Sequence, residues 1–300
     1  TGPHRVYANA GYFNDAPYFT ESFVSPRTRN DLAPNLNTEK TFSGDVNYAF
    51  NKSGYSIRVT GYYTKIMDQT DLMSFYDDSQ NSFTNFAVGG IDQRHVGVEL
   101  GFAVPLPLKG LSLQGALNWG DYVYTSNPYV TQTIDNDGEV VMDRELVPYW
   151  KGHYVYEKDA EGNFKQDVFG DYKIEKYQKH YVASTPQIAA SLGLDYSNNY
   201  WFAGIDLQYF DKMYLDMNPL YRTDLAVNGP DGIATPEEVE YMAAQEKFPR
   251  AFILNANLGK SWYIKRNYNL GFSLSVNNIL NNTNVRTGGY EQTRLIDSKS

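Results

Sequence analysis

The chain of 300 residues has no cysteine and carries more negative than positive charge. It also lacks any long apolar run. Each absence removes a class of protein. Without cysteine there is no disulfide, no thiolate nucleophile and no thiolate metal ligand, and no compartment is indicated. No stretch approaches the ~20 consecutive apolar residues of a membrane-crossing helix, and the mean hydropathy is −0.52. Lys and Arg number 26 against 35 Asp and Glu, and the net charge of −9 argues against nucleic acid as a partner. No basic, then apolar leader opens the chain. Catalytic signatures are missing too. There is no Gly-x-Ser-x-Gly elbow and no phosphate loop. His4, His95, His153 and His180 have no second His or carboxylate at ligand spacing. Asp77, Asp78, Asp143 and Glu145 read as solvated loop charges. No enzyme activity, no cofactor and no metal are expected.

What is abundant is aromatic. Phe, Trp and Tyr make up 15% of the chain, with 26 Tyr against 16 Phe and 4 Trp. Tyr favours strands and water–apolar boundaries, because its ring is apolar and its tip is wet. A two-residue period accompanies this excess. Leu111, Leu113, Gly115, Leu117 and Trp119 alternate with Ser112, Gln114, Ala116, Asn118 and Gly120. Side chains alternate across a strand, so one face is apolar and the other small and polar. The same pattern recurs around Ile57–Thr64, Val96–Val104, Ile188–Tyr196, Trp201–Tyr209, Phe252–Gly259 and Leu270–Asn277. With 5–13 and 43–51 this predicts about nine strands of roughly nine to twelve residues. Ordinary strands average about five or six; a membrane-spanning strand needs about 9–11.

Tight turns at 51–54, 105–110, 197–199 and 263–267 alternate with long segments at 14–42, 67–92, 125–183 and 211–249. Short turns at one end and long loops at the other mark an up-and-down barrel of an outer membrane, and structureless loops this long are uncommon in compact soluble domains. Aromatics sit at strand ends (Tyr62, Tyr63, Trp119, Tyr122, Tyr196, Tyr200, Trp201, Tyr209, Trp262, Tyr263 and Tyr268), as in the two girdles of a lipid-facing barrel. A soluble sandwich with aromatic strand ends is the alternative. On the barrel reading the polar face lines a wet lumen, with Arg58, Glu99, Gln114, Asn118, Asp206, Gln208, Asn255 and Asn257 as lumen-facing candidates.

Ser275-Val-Asn-Asn-Ile-Leu-Asn-Asn-Thr-Asn-Val-Arg-Thr-Gly-Gly-Tyr-Glu-Gln-Thr-Arg294 resembles the C-terminal region of SusC/RagA-type TonB-dependent outer-membrane receptors. Tyr7–Phe13 followed by Ala16-Pro-Tyr-Phe19 is similar to an earlier strand and loop of that barrel. Asn35-Leu-Asn-Thr-Glu-Lys40 resembles the family's NLKPE-like signature, with Asn37-Thr38 where that signature has Lys-Pro. Tyr62-Tyr-Thr-Lys-Ile66 resembles the YYT ending of the next strand.

The resemblance implies an all-β chain, an antiparallel transmembrane β-barrel, with 1–300 as the C-terminal portion of a large barrel of about 22 strands. It implies a plug domain and a final strand that this chain does not contain, and a place in the outer membrane of a Gram-negative bacterium. It also implies import of an oligosaccharide or peptide nutrient, driven by TonB with ExbB and ExbD through the plug, beside a SusD-like surface lipoprotein and in contact with outer-membrane lipid. A passive porin-like channel and a soluble carbohydrate-binding β domain are the alternatives.

Four further segments invite local readings. Tyr149, Trp150, Tyr154 and Tyr156 open a charged, aromatic stretch over 144–182 and are ligand-contact candidates, because aromatic faces stack on sugar rings and pack peptide side chains; a self-packed loop is the alternative. The acidic run Asn228–Glu240 invites calcium, which wants clustered oxygens. It lacks the alternating carboxylates of an EF-hand and reads instead as a helix over roughly 236–246 with Thr235 as N-cap, Pro236 at its first position and Glu238 closing a capping box. Asp135-Asn-Asp-Gly138 reads as a hairpin turn. Asn277 and Asn278, and the glycines among Arg286, Tyr290 and Arg294, read as strand-end and turn chemistry.

Overall fold

Alternation becomes a sheet in the computed structural model, which describes residues 2–24, 30–34, 36–77, 80–136, 138–228, 234–265 and 267–284. Nine strands follow one another in a single antiparallel meander. They are β1 (His4–Asp15), β2 (Glu39–Lys52), β3 (Tyr55–Asp77), β4 (Ser82–Pro105), β5 (Leu111–Tyr124), β10 (Ile188–Asn198), β11 (Trp201–Asp211), β12 (Ala251–Ile264) and β13 (Tyr268–Val276), numbered so that β6 to β9 lie in the connection after β5. Antiparallel neighbours satisfy each other's backbone groups, which a lipid environment demands. Among the described residues β1 and β13 form the two ends of this sheet, each paired along one side. Every second turn between neighbours is tight. Ser53 and Gly54 both have positive φ (53° and 88°), the requirement of a two-residue hairpin whose twist matches its strands.

Register carries the two faces from strand to strand, because directly paired residues point the same way. One row runs Val6, Tyr48, Val59, Leu100, Leu117, Ala190, Tyr209 and Phe252. The neighbouring row runs Thr60, Glu99, Asn118, Ala189 and Phe210. The apolar face is bare: Val6, Val46, Trp119 and Leu274 are 72%, 60%, 63% and 59% exposed. The nine strands form one layer, and outside the outer half of β4 they contribute no buried residue to the main apolar cluster.

The long connections are more ordered than the sequence reading of 67–92 and 125–183 as loops allows. β3 and β4 run for 23 and 24 residues, or roughly 75 Å at ~3.3 Å per residue, against a bilayer core of ~30 Å. A span of such a core would use less than half of either strand. A bulge at Met67 and Asp68 separates inner from outer half, with register shifts on either side of Gln69 and Asp68 at φ 60°. Beyond it, β5 leaves β4, and β6 (Tyr129–Ile134) takes its place along Thr84–Gly89, with β7 (Val140–Leu146) paired to β6. The turn between β6 and β7 is the hairpin expected at 135–138, although Asp137 lies outside the described residues. β8 (Gly152–Tyr156) and β9 (Ile174–Lys179) form a separate two-stranded ribbon. In 211–249 stand two four-to-eight-residue helices, α2 (Asp224–Val227) and α3 (Pro236–Ala243); a further short helix, α1 (Phe19–Ser22), lies in the 14–42 connection. α3 has the capping box read from Thr235 and Glu238, with Pro236 at its start. It ends three residues before 246, at an Ala244 cap in extended conformation.

The apolar core sits in this outer region. Phe86, Val88, Ile91, Val130, Met142, Val147, Trp150 and Met217 form one cluster, and Val227, Val239 and Ala243 a second, smaller one. The molecule is thus a single-layer sheet with a bare apolar face, topped by a cap that holds the core.

Candidate functional site

All eight polar candidates share one face of the sheet. Glu99 pairs with both Thr60 and Asn118. Arg58 pairs with Gly101, which pairs with Ala116, two residues from Gln114 and from Asn118. Gln114 pairs with Gly193, Gly193 with Asp206 and Asp206 with Asn255. Gln208 and Asn257 lie two residues from Asp206 and Asn255, so they complete the face. This face curves around a hollow of about 570 Å³ whose wall includes Arg58, Glu99, Asn118, Ser191 and Gln208. Its side chains bond laterally. Asn47 Oδ1 accepts from Arg58 (3.0 Å) and Thr60 (2.7 Å). Tyr62 donates to Asn118 Oδ1 at 2.8 Å and also bonds Tyr122. Gln114 donates to Asp195 at 2.5 Å, and Gln208 to Asp206 at 2.8 Å. Asn255 Oδ1 accepts the backbone N–H of Asn278 at 3.0 Å. Asn278, at φ 51°, in turn closes a turn on Asn282 through its amide, which is the strand-end chemistry read from the sequence; Arg286, Tyr290 and Arg294 lie outside the described residues.

The four aromatic candidates part company. Trp150 is 2% exposed, packed edge-on against Tyr124 at 5.3 Å in the main core. It presents no surface to a ligand, and its role here is packing. Tyr149 leans on the smaller cluster under α2 and α3. Tyr154 and Tyr156 lie on the ribbon, where Tyr154 meets Tyr177 at 5.2 Å and Tyr156 meets Phe164 and Tyr172 at 6.4 and 6.2 Å. The rings pack on one another and leave Tyr154 half exposed. Burial pushes the Tyr149, Tyr156 and Tyr177 hydroxyls above the usual phenol range, so all three are neutral donors near neutral pH.

Two features escape a reading along the chain. The first is an open groove of about 690 Å³ between the ribbon and α3, with Lys158, Asn163, Phe164, Gln166, Tyr172 and Glu237 in its wall. Glu240 of α3 ties the two together: it bonds Lys158 at 2.7 Å and accepts the Tyr156 N–H at 3.1 Å. The second is a buried histidine pair beneath the ribbon. His153 Nδ1 and His180 Nε2 are 3.0 Å apart, and His180 Nδ1 is 3.0 Å from the Trp150 carbonyl oxygen. A carbonyl only accepts, so His180 carries its proton on Nδ1 and offers Nε2 to the N–H of His153. Burial, then the nearby Arg222, depresses both imidazoles: His153 falls to about 4, and His180, which also feels His153, to about 3. Both are neutral. Ring types at 153 and 180 signal nothing by spacing; only the ribbon's fold brings them together. Among the described residues no three acidic or imidazole side chains could hold a metal ion together.

The family model of the TonB-dependent receptor-like β-barrel matches residues 1–279. No curated protein matches the chain. Among solved structures, the copper transporter OprC is similar over 93% of this chain and 32% of its own, at 18% identity and TM-score 0.51. The ferric-catecholate import receptor Fiu from E. coli K12 is similar over 93% of this chain and 29% of its own, at 14% identity and TM-score 0.48. The chain thus spans about a third of the length of these two structures. The likeness to OprC extends to the fold alone. With strands that alternate apolar and polar, a bare apolar face and this family match, the chain belongs to the TonB-dependent receptor-like β-barrel family and is an outer-membrane β-barrel protein.

Proposed function

We propose that this chain is part of the wall of a SusC/RagA-type importer that carries an oligosaccharide or peptide nutrient across the outer membrane. One observation carries the reading: nine strands divide into a bare apolar face and a polar face curved around a hollow of about 570 Å³. Lipid covers the first face and water fills the second, so Arg58, Glu99, Gln114, Asn118, Asp206, Gln208, Asn255 and Asn257 line the path. Strands beyond β1 and β13 in a longer barrel cover the two open edges, since lipid does not tolerate unpaired backbone. The chain itself performs no covalent chemistry. Energy enters through a plug domain pulled by TonB with ExbB and ExbD, and a SusD-like surface lipoprotein sits on the cap. The subtype rests on the resemblance over 275–294 and the matches near the start of the chain.

On this reading the groove beside α3 is where the cap meets its ligand, with Tyr154 nearby and Trp150 holding the ribbon's base from the core. Its wall offers aromatic faces at Phe164 and Tyr172 and amides at Asn163 and Gln166, which suit sugar rings or peptide backbone equally. Uptake by cells expressing the full-length receptor tests the proposal. Import that stops when TonB is deleted supports it; equal import with and without TonB makes the protein a passive channel. Phe164→Ala with Tyr172→Ala is expected to raise the concentration of half-maximal uptake while leaving the protein in the membrane, and unchanged uptake would take the groove out of the ligand path.

A further inference from the structure

A cation stands among the apolar side chains of the wall. In β12, Phe252, Leu254, Ala256, Leu258, Lys260 and Trp262 share one face, because alternate residues of a strand point the same way. Lys260 pairs across the sheet with Trp201, the first residue of β11, and with Phe272 of β13. It is therefore level with the turn at 199–200, at the short-turn end of the apolar band. Its ammonium lies over the Trp201 ring at 4.4 Å and the Trp262 ring at 5.6 Å. Phe272 packs against the same two indoles at 6.4 and 5.9 Å. Among the described residues Lys260 has no ion-pair partner. Ring faces attract a cation but carry no net charge to neutralise it. A lysine at a membrane interface ordinarily carries its head out to water; this one lies against rings of its own face, at the depth of the aromatic girdle. The short-turn end is also basic as a whole. Turns 51–54, 105–110, 197–199 and 263–267 contain Lys52, Lys109, Lys265 and Arg266 and no Asp or Glu, in a chain of net charge −9. Lys52, Lys109 and Lys265 are exposed, and among the described residues none of the three is ion-paired.

We propose that Lys260, between Trp201 and Trp262, binds the phosphate of an anionic phospholipid in the periplasm-facing leaflet, with the basic turns as the field around it. Three things select this occupant. The apolar face belongs to an outer-membrane barrel, so what covers it is lipid. The short turns of such a barrel are periplasmic, so the layer level with Lys260 is that of the headgroup phosphates. The third is sign. A zwitterionic headgroup brings an ammonium of its own, which wants a carboxylate beside it, and the short turns supply none. A headgroup of net negative charge has no such group to place. A hydrogen bond between ammonium and phosphate is charged on both sides and so of the stronger kind, and at the lipid boundary it is little screened. Basic residues within about a Debye length add to the attraction, which brings Lys52, Lys109 and Lys265 in without direct contact. The bound lipid would fix the depth of β11, β12 and β13 in the membrane, independently of what is imported.

Native mass spectrometry of the full-length receptor, delipidated in detergent, tests this with phosphatidylglycerol and phosphatidylethanolamine of equal acyl chains. The first lipid bound is expected to be phosphatidylglycerol, preferred about tenfold or more. Lys260→Met is expected to weaken phosphatidylglycerol binding by about that factor and to leave phosphatidylethanolamine binding unchanged. It removes a charge from an apolar face, so the barrel should assemble, which heat-modifiable mobility on a gel reports. Should it not, Lys109→Gln with Lys265→Gln, on exposed turns, carries the test through the same loss of preference. Lys176→Gln, an exposed cation of β9 in the cap, is expected to change neither lipid. Equal binding of the two lipids overturns the proposal. So does phosphatidylglycerol binding that survives Lys260→Met intact, or that falls as far in Lys176→Gln, since net charge alone would then be at work. Displacement of the lipid by inorganic phosphate overturns it too, because the site would then hold a free anion.

Discussion

Acid is expected to loosen the β8–β9 ribbon while the barrel wall holds. His180 is fully buried and His153 is 5% exposed. Arg222 faces both rings, His153 faces His180, and Glu240 on α3 is the one acidic group acting on His153. Both imidazoles titrate in the folded ribbon far below ~6.5, the value in an unfolded chain. A histidine depressed in this way contributes in full above pH ~6.5, and its contribution falls as pH drops from there towards the folded value. At pH 5 each ring withholds a proton that the opened ribbon would take. The difference is about 1.5 pH units, or about 2 kcal/mol per ring at ~1.36 kcal/mol per unit. The opened ribbon then gains between about 30-fold, if one ring is released, and about 1000-fold, if both are. Protonation also destroys the bond between the rings, because Nε2 of His180 ceases to accept.

Hydrogen exchange resolved by mass spectrometry, on full-length receptor in nanodiscs, reads this directly. Protection factors, corrected for the intrinsic pH dependence of exchange, should fall between pH 7.5 and 5 in peptides covering 152–156 and 174–179, and remain constant in β10 to β12. His153→Gln with His180→Gln should remove the pH dependence. Protection that stays level between the two pH values refutes the reasoning. So does a fall of equal size in the double variant, since the titrating groups would then lie elsewhere.

Leu192, 49% exposed on the apolar face in the middle of β10, is expected to reject arginine at a cost of about 2–4 kcal/mol, whereas Ser191→Arg on the polar face should assemble; the heat-modifiable fraction on a gel separates them. Gly259→Ala should impair assembly by about 1–3 kcal/mol, because an added Cβ would stand 2.1 Å from Phe202 Cζ and 2.6 Å from the Phe272 carbonyl oxygen; urea unfolding in lipid vesicles measures it. Trp150→Ala should cost the cap about 3–5 kcal/mol, seen as faster proteolysis between 125 and 250 with the wall intact.

How far the sequence could be read follows from what each pattern depends on. The wall strands were legible because their period of two depends only on strand geometry and on one face being apolar. Once that period is right, every residue's face is settled locally, which is why eight polar side chains from five strands turn out to share a side. The outer half of β4 was not legible. Thr84 to Gly89 are buried in unbroken succession, with Phe86 and Val88 at 0% and Ala87 at 3%, because both faces of the ribbon are covered. A strand covered on both faces loses its alternation, so 67–92 read as a loop. Its edge is paired with 129–134, and Phe86 and Val88 pack in one cluster with Val147, Trp150 and Met217, and nothing in the spacing announces either.

The same dependence divides the candidate sites. Trp150 and Tyr154 belong to one aromatic run, four residues apart, yet one is sealed in a core and the other stands on an open ribbon. The difference lies in Tyr124, Met217 and the outer half of β4, none of them near in sequence. The groove needs 158–172 beside 237–241, and the histidine pair needs 153 beside 180. Each is a product of long-range closure, which composition does not encode. The wall that any cargo would pass is therefore written in local alternation. The cap is written in contacts between distant loops, so on the proposed reading two chains with the same wall pattern can differ wholly in cargo.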